Sequence, residues 1–147
     1  MNALLSLLQT IEHISQQLLD CLKQEKQALD DNQYGQLCEL AVQKETIISQ
    51  LNELDKQRAA SCPDNNFNQF INSSNNQALI SQWDNTRSVI LSCQQQNEVN
   101  GRLLNRRNQY NQETIAILTG RNRTTDQTYN ARGNQAGSGS LFNSVKA

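Results

Sequence analysis

Four cysteines and one histidine are the residues best suited to metal or redox chemistry, and their spacing limits what they can do. Cys21, Cys38, Cys62 and Cys93 stand 17, 24 and 31 residues apart, with no CxxC pair, so neither a zinc site nor a redox motif is indicated. They read as reduced thiols in or near a helix core, where cysteine behaves as a small apolar side chain. His13 falls on the solvent side of the first helical pattern. Gly133, Gly137 and Gly139 follow the last helical segment and precede none, so they cannot form the strand-loop-helix cradle that holds phosphate. No convergent acids, bases or nucleophiles remain to build an enzyme site. No catalytic residue, metal or cofactor is expected. Arg102, Arg106, Arg107, Arg121, Arg123 and Arg132 crowd the C-terminal third, but only Tyr110 and Tyr129 offer stacking surfaces there, which argues against a nucleic-acid site.

The chain that must position these residues is 147 long, about one domain, and nearly neutral, with 13 Lys+Arg against 14 Asp+Glu. Asparagine and glutamine number 19 and 20, whereas hydrophobic residues are only 36%, so a thick core is excluded. One proline and six glycines supply too little turn chemistry for a sandwich, a barrel or an α/β fold. An elongated all-α fold is predicted. Charge divides along it, with a net of −4 over residues 1–60 and +3 over residues 61–147. No apolar run is long enough to cross a bilayer, and the leading MNALLSLLQTIEHI lacks a basic flank and a cleavage site. A cytoplasmic location without stable membrane insertion is the expectation.

Leu4, Leu7, Ile11, Ile14, Leu18, Cys21 and Ala28 alternate in steps of three and four, interrupted by Glu25, which predicts a first helix over residues 3–29. Leu8, Leu22 and Leu29 widen its apolar surface on one side, and Leu5 and Leu19 extend it further. One partner helix does not cover all of that. The polar cluster Asp30-Asp31-Asn32 ends this helix or caps the next. Leu37, Leu40, Lys44, Ile47, Leu51, Leu54 and Arg58 predict a second helix over residues 33–60, folded antiparallel on the first. Lys44 and Arg58 break its seam and require a partner or a route to water. Pro63 stops it. Phe67, Phe70 and Ile71, in an otherwise polar loop from Asp64 to Asn76, suggest a short turn tucked onto the hairpin.

A third long helix is predicted over residues 77–118, through Leu79, Trp83, Thr86, Ile90, Cys93, Asn97, Asn100 and Leu104. If continuous it spans roughly 63 Å against roughly 40 Å for each of the others, and it overhangs the hairpin. Asn100-Gly101 is also a turn signal, so a break there with a fourth helix folding back is the alternative. The distal half carries Leu103, Leu104, Tyr110, Ile115, Ile117 and Leu118, a face on which a helix from another protein could dock. Residues 119–147 are small, polar and glycine-rich and are expected to be disordered unless bound. Tyr129 and the pair Leu141-Phe142 are candidate docking anchors within them.

Taken together, Ala28-Leu29-Asp30, Leu37, Leu40, Lys44, Leu51, Leu54, Arg58, Trp83, Asn97-Glu98-Val99-Asn100-Gly101 with Leu103-Leu104, and Thr128-Tyr129-Asn130-Ala131-Arg132-Gly133 resemble the FlgN family of flagellar export chaperones. Asn130 departs from the aspartate common in that family. The resemblance implies a cytoplasmic chaperone that holds the C-terminal helical segment of the hook-filament junction proteins FlgK and FlgL, prevents their early assembly and delivers them to the export gate. It implies a chaperone domain over residues 1–118 and a flexible tail over residues 119–147. Asn97, Asn100, Gly101, Leu103 and Leu104 would serve the cargo, the asparagines by bonding it or by fixing register and Gly101 by allowing close approach or a bend. Tyr110, Ile115 and Leu118 extend that surface. Tyr129, with Arg132 and Gly133, resembles the element that contacts the gate protein FlhA. The chain is then a monomer or weak dimer that binds no nucleic acid. A self-associating structural coiled coil is the competing reading, and a nucleic-acid-binding helical protein a more distant one.

Overall fold

The computed structural model describes residues 2–120. They form four helices, α1 (Asn2–Asp30), α2 (Tyr34–Ala60), α3 (Phe67–Ser73) and α4 (Gln77–Leu118), with no strand among the described residues. The three long helices lie where the apolar spacing predicts them, and the turn at Phe67 is the short helix α3. Helix α4 runs unbroken through Asn100-Gly101, which overturns the fold-back alternative. One glycine in a helix interior costs only about 1 kcal/mol, and packing on α1 outweighs that. The expected disorder of the tail concerns residues that lie almost wholly outside those described.

Asparagine supplies the turn chemistry that the scarce glycine and proline do not. Asn32, Asn65 and Asn75 adopt the left-handed conformation, with φ of 55°, 56° and 53°, which asparagine tolerates better than other non-glycine residues. At the end of α1, Gln33 N donates to Ala28 O at 2.9 Å and Asn32 N to Leu29 O at 3.4 Å, a Schellman closure with Asn32 in the place glycine usually takes. Asn66 and Asn76 cap α3 and α4, their side chains accepting from Gln69 N at 3.2 Å and Leu79 N at 3.3 Å.

Helix α1 lies between α2 and α4 and packs along both. Its polarity relative to α4 is fixed by three side chains. Thr86 Oγ1 donates to Leu8 O at 3.3 Å, Cys93 Sγ to Ser15 O at 3.2 Å, and Asn100 Nδ2 to Leu22 O at 2.8 Å, each pair 78 residues apart. A constant separation means that α4 runs parallel to α1, and the rungs recur every seven residues as in a supercoiled pair. The row of α1 facing α4 is therefore Leu8, Ser15, Leu22 and Leu29, all buried. The row that the spacing of apolar residues singled out is only partly interior, since Leu4, Leu7 and Ile14 remain half-covered at the edge of the core. Ser15 conceals the true row from a count of hydrophobic residues. Leu8, Ile11, Leu18, Leu22, Leu51, Ile71 and Leu79 are fully buried, each stabilising the fold by about 1.5–3 kcal/mol.

At the opposite end from the α1–α2 turn, α3 closes the bundle. Phe67 meets Trp83 edge-on with ring centroids 4.7 Å apart, and Trp83 Nε1 donates to Asn68 Oδ1 at 2.6 Å. Arg58 lies over both rings, 4.8 Å from Phe67 and 5.5 Å from Trp83, while its Nε donates to Asp55 Oδ1 at 2.7 Å. The seam-breaking cation is thus held by a carboxylate and two aromatic faces.

Candidate functional site

The second seam-breaking cation organises a polar layer where α1, α2 and α4 come together. Lys44 Nζ donates to Asn97 Oδ1 at 2.7 Å and lies 3.8 Å from Glu25 Oε1. Glu25, the residue that interrupts the apolar row of α1, also accepts from Asn100 Nδ2 at 2.9 Å. Gln96 Nε2 completes the layer by donating to Asn100 Oδ1 at 3.0 Å. Asn97 and Asn100 are both buried, and the contacts they make are within the chain. Both asparagines thus belong to the interhelical polar layer. Polar residues satisfied at one layer restrict the alignment of helices, because any other alignment buries them unpaired.

Gly101 follows this layer directly on α4. A Cβ built there has nothing within 4 Å, and the helix continues through it. The surrounding surface changes character immediately afterwards. The offset of 78 residues brings Asp30, the last residue of α1, level with Asn108, so the remaining turns of α4 project about 15 Å beyond the hairpin. Arg107 Nη1 donates to Asn32 Oδ1 in the α1–α2 turn, just before the overhang.

Toward this end of the hairpin the apolar surface of α4 becomes exposed. Trp83, Ile90 and Asn97 recur every seven residues and are buried, and the same row continues at Leu104 and Leu118, which are 47% and 79% exposed. Tyr110, Ile115 and Ile117 are 69%, 59% and 80% exposed, and Leu103 is partly covered. At 3.6 residues per turn these six side chains occupy an arc of about 160°, so they form a face. The structure thus separates the predicted cargo residues into three groups, Asn97 and Asn100 inside the bundle, Gly101, Leu103 and Leu104 alongside the last turns of α1, and Tyr110, Ile115 and Leu118 on the overhang. Ile117 belongs to the third group. Tyr129, Arg132 and Gly133 lie outside the described residues.

Cysteines and histidine take no part in this surface. Cys21, Cys62 and Cys93 are buried and Cys38 is exposed. Burial, with the Asp20 carboxylate adding to it, pushes the Cys93 thiol up to about 12. Cys21 is raised by burial first and by Glu25 second, with Lys44 opposing. His13 is exposed and lies 3.3 Å from Gln17 Nε2. No described helix is long and apolar enough to cross a membrane.

Glu25, Ser15 and Thr86 organise the site's scaffold and were not singled out for that purpose in the sequence. The signal was present in the heptad recurrence of Thr86, Cys93 and Asn100, three small or polar residues on one row. No curated protein and no solved structure matches the chain. A family model described as FlgN protein matches residues 1–137, spanning the bundle, the overhang and the Tyr129 element. The chain therefore belongs to the FlgN family of flagellar export chaperones.

Proposed function

We propose that the face of α4 from Leu103 to Leu118 receives the C-terminal helical segment of the hook-filament junction proteins FlgK and FlgL. The observation that carries this reading is the exposed apolar face of α4, which continues past the end of α1 through Tyr110, Ile115, Ile117 and Leu118. An amphipathic helix laid along it would read anchors spaced at three, four and seven. Residues 1–118 act as the chaperone domain. Residues 119–147 act as a delivery arm, in which Tyr129, Arg132 and Gly133 engage the export gate protein FlhA in the cytoplasm.

The energetics suit a cargo that must be handed on. Burying the exposed part of six large side chains contributes roughly 6–12 kcal/mol, against an association cost of about 4–15 kcal/mol. The two terms are of similar size, so the complex is held by a small surplus and release is in reach of a competing contact. Mixing the purified chain with a cargo C-terminal peptide, and with one lacking its final helix, tests the reading. Binding to the first alone is expected, and equal or absent binding to both refutes it. Sedimentation bears on the rival: a tight dimer that buries the overhang would favour a self-associating coiled coil.

A further inference from the structure

The exposed face of α4 ends at Leu118, and 29 residues follow it in the chain. In the last ten of them, SGSLFNSVKA, Leu141, Phe142 and Val145 are large apolar residues at positions i, i+1 and i+4, and a helical turn would bring Leu141 and Val145 to one face with Phe142 beside them. These ten residues lie beyond the family match, which stops at residue 137, so the family's shared features assign them no role.

We propose that the segment from Leu141 to Val145 folds back onto the face between Leu103 and Leu118 and occupies it in cis while no partner helix is bound. Occupancy rests on chain length and apolar chemistry, and its effect on cargo rests on the function proposed above. The connection from Thr119 to Ser140 has 22 residues, and a flexible linker of that length would reach roughly 23–28 Å. From Leu118 back to Leu104 along α4 is about 21 Å. Matching of linker reach to span maximises effective concentration, which is on the order of millimolar for a short linker. A second copy of the chain, working at micromolar concentration, competes poorly with a segment held that close. Three side chains bind weakly, with a dissociation constant on the order of 0.1–1 mM, so cis occupancy lowers apparent affinity for a partner helix by roughly two- to tenfold.

The test compares the full chain, the full chain with Phe142→Ser, and a chain ending at Ser140, which leaves every described residue intact. Methyl and amide resonances of Leu103 to Leu118 are recorded at several protein concentrations, and a cargo C-terminal helix peptide is then titrated into each. Removing the segment is expected to shift Ile115, Ile117 and Leu118 while Leu18 and Leu51 stay in place, and to tighten peptide binding two- to tenfold. Superimposable spectra overturn the proposal, and so do differences that grow with concentration, which would assign the face to a second copy. Superimposable spectra with peptide binding retained leave the cargo reading standing, whereas shifted resonances with no peptide binding leave the cis segment standing and remove the cargo reading.

Discussion

Replacing Asn100 by alanine probes the layer that aligns α4 with its neighbours. The side chain donates to Leu22 O at 2.8 Å and to Glu25 Oε1 at 2.9 Å, and accepts from Gln96 Nε2 at 3.0 Å. The bond to the carbonyl is worth about 1 kcal/mol and the bond to the carboxylate about 1.5 kcal/mol, the low end for a charged acceptor because Glu25 retains some access to water. Loss of the buried amide group also leaves a small void, so Asn100→Ala should destabilise the fold by roughly 2–4 kcal/mol in all. Urea unfolding followed by circular dichroism at 222 nm measures this, and the thermal midpoint should fall by about 10 °C. Leu104→Ala, four residues along on the exposed face, should change stability by under about 1 kcal/mol and serves as the control. A loss below about 0.5 kcal/mol at Asn100, or equal losses at both positions, would refute the argument that the rung sets the alignment.

Ser15→Ala should leave stability unchanged or raise it by up to about 1 kcal/mol, because Ser15 Oγ is buried without a hydrogen-bond partner and the carbonyl that Cys93 uses is retained; chemical denaturation reads the sign. Leu104→Asp is expected to keep the helix content and weaken cargo-peptide binding at least about tenfold, as calorimetric titration would show. Tyr129→Ala should leave peptide binding alone and impair delivery to the gate in an export assay, and loss of peptide binding would contradict the proposed division of labour. Cys93 has a folded-state value near 12 against an ordinary 9.0, so between those limits the unfolded chain has released a proton that the folded chain keeps. Stability should therefore fall as pH rises through that window, by up to about 1.4 kcal/mol per pH unit, with Cys21 acting in the same direction. A Cys93→Ala variant should flatten the slope. A pH series of urea midpoints decides it.

Helix placement was legible because long amphipathic patterns with steps of three and four leave few alternatives, and Pro63 marks the one abrupt stop. Orientation was not. Nothing in the apolar spacing states that α4 runs parallel to α1, since that follows from rungs made by Thr86, Cys93 and Asn100 to backbone carbonyls. Asn97 and Asn100 show the same difficulty from the functional side. A polar residue on a seam has the same appearance in a sequence whether its hydrogen-bond partner belongs to the chain or to another molecule, and the spacing does not state that Lys44 and Glu25 lie beside these two. Exposure of Tyr110, Ile115, Ile117 and Leu118 was foreseeable from helix lengths alone, because α4 has 42 residues against 29 in α1.

The seven-residue rungs make the rod intolerant of small changes in length. Adding one residue to α4 between Thr86 and Asn100 would swing everything downstream by about 100°, turning the distal face away from the side on which α1 and α2 end. Natural variants of this chain should therefore gain or lose whole heptads within the paired helices, and absorb odd insertions in the connections around Asn65 and Asn75.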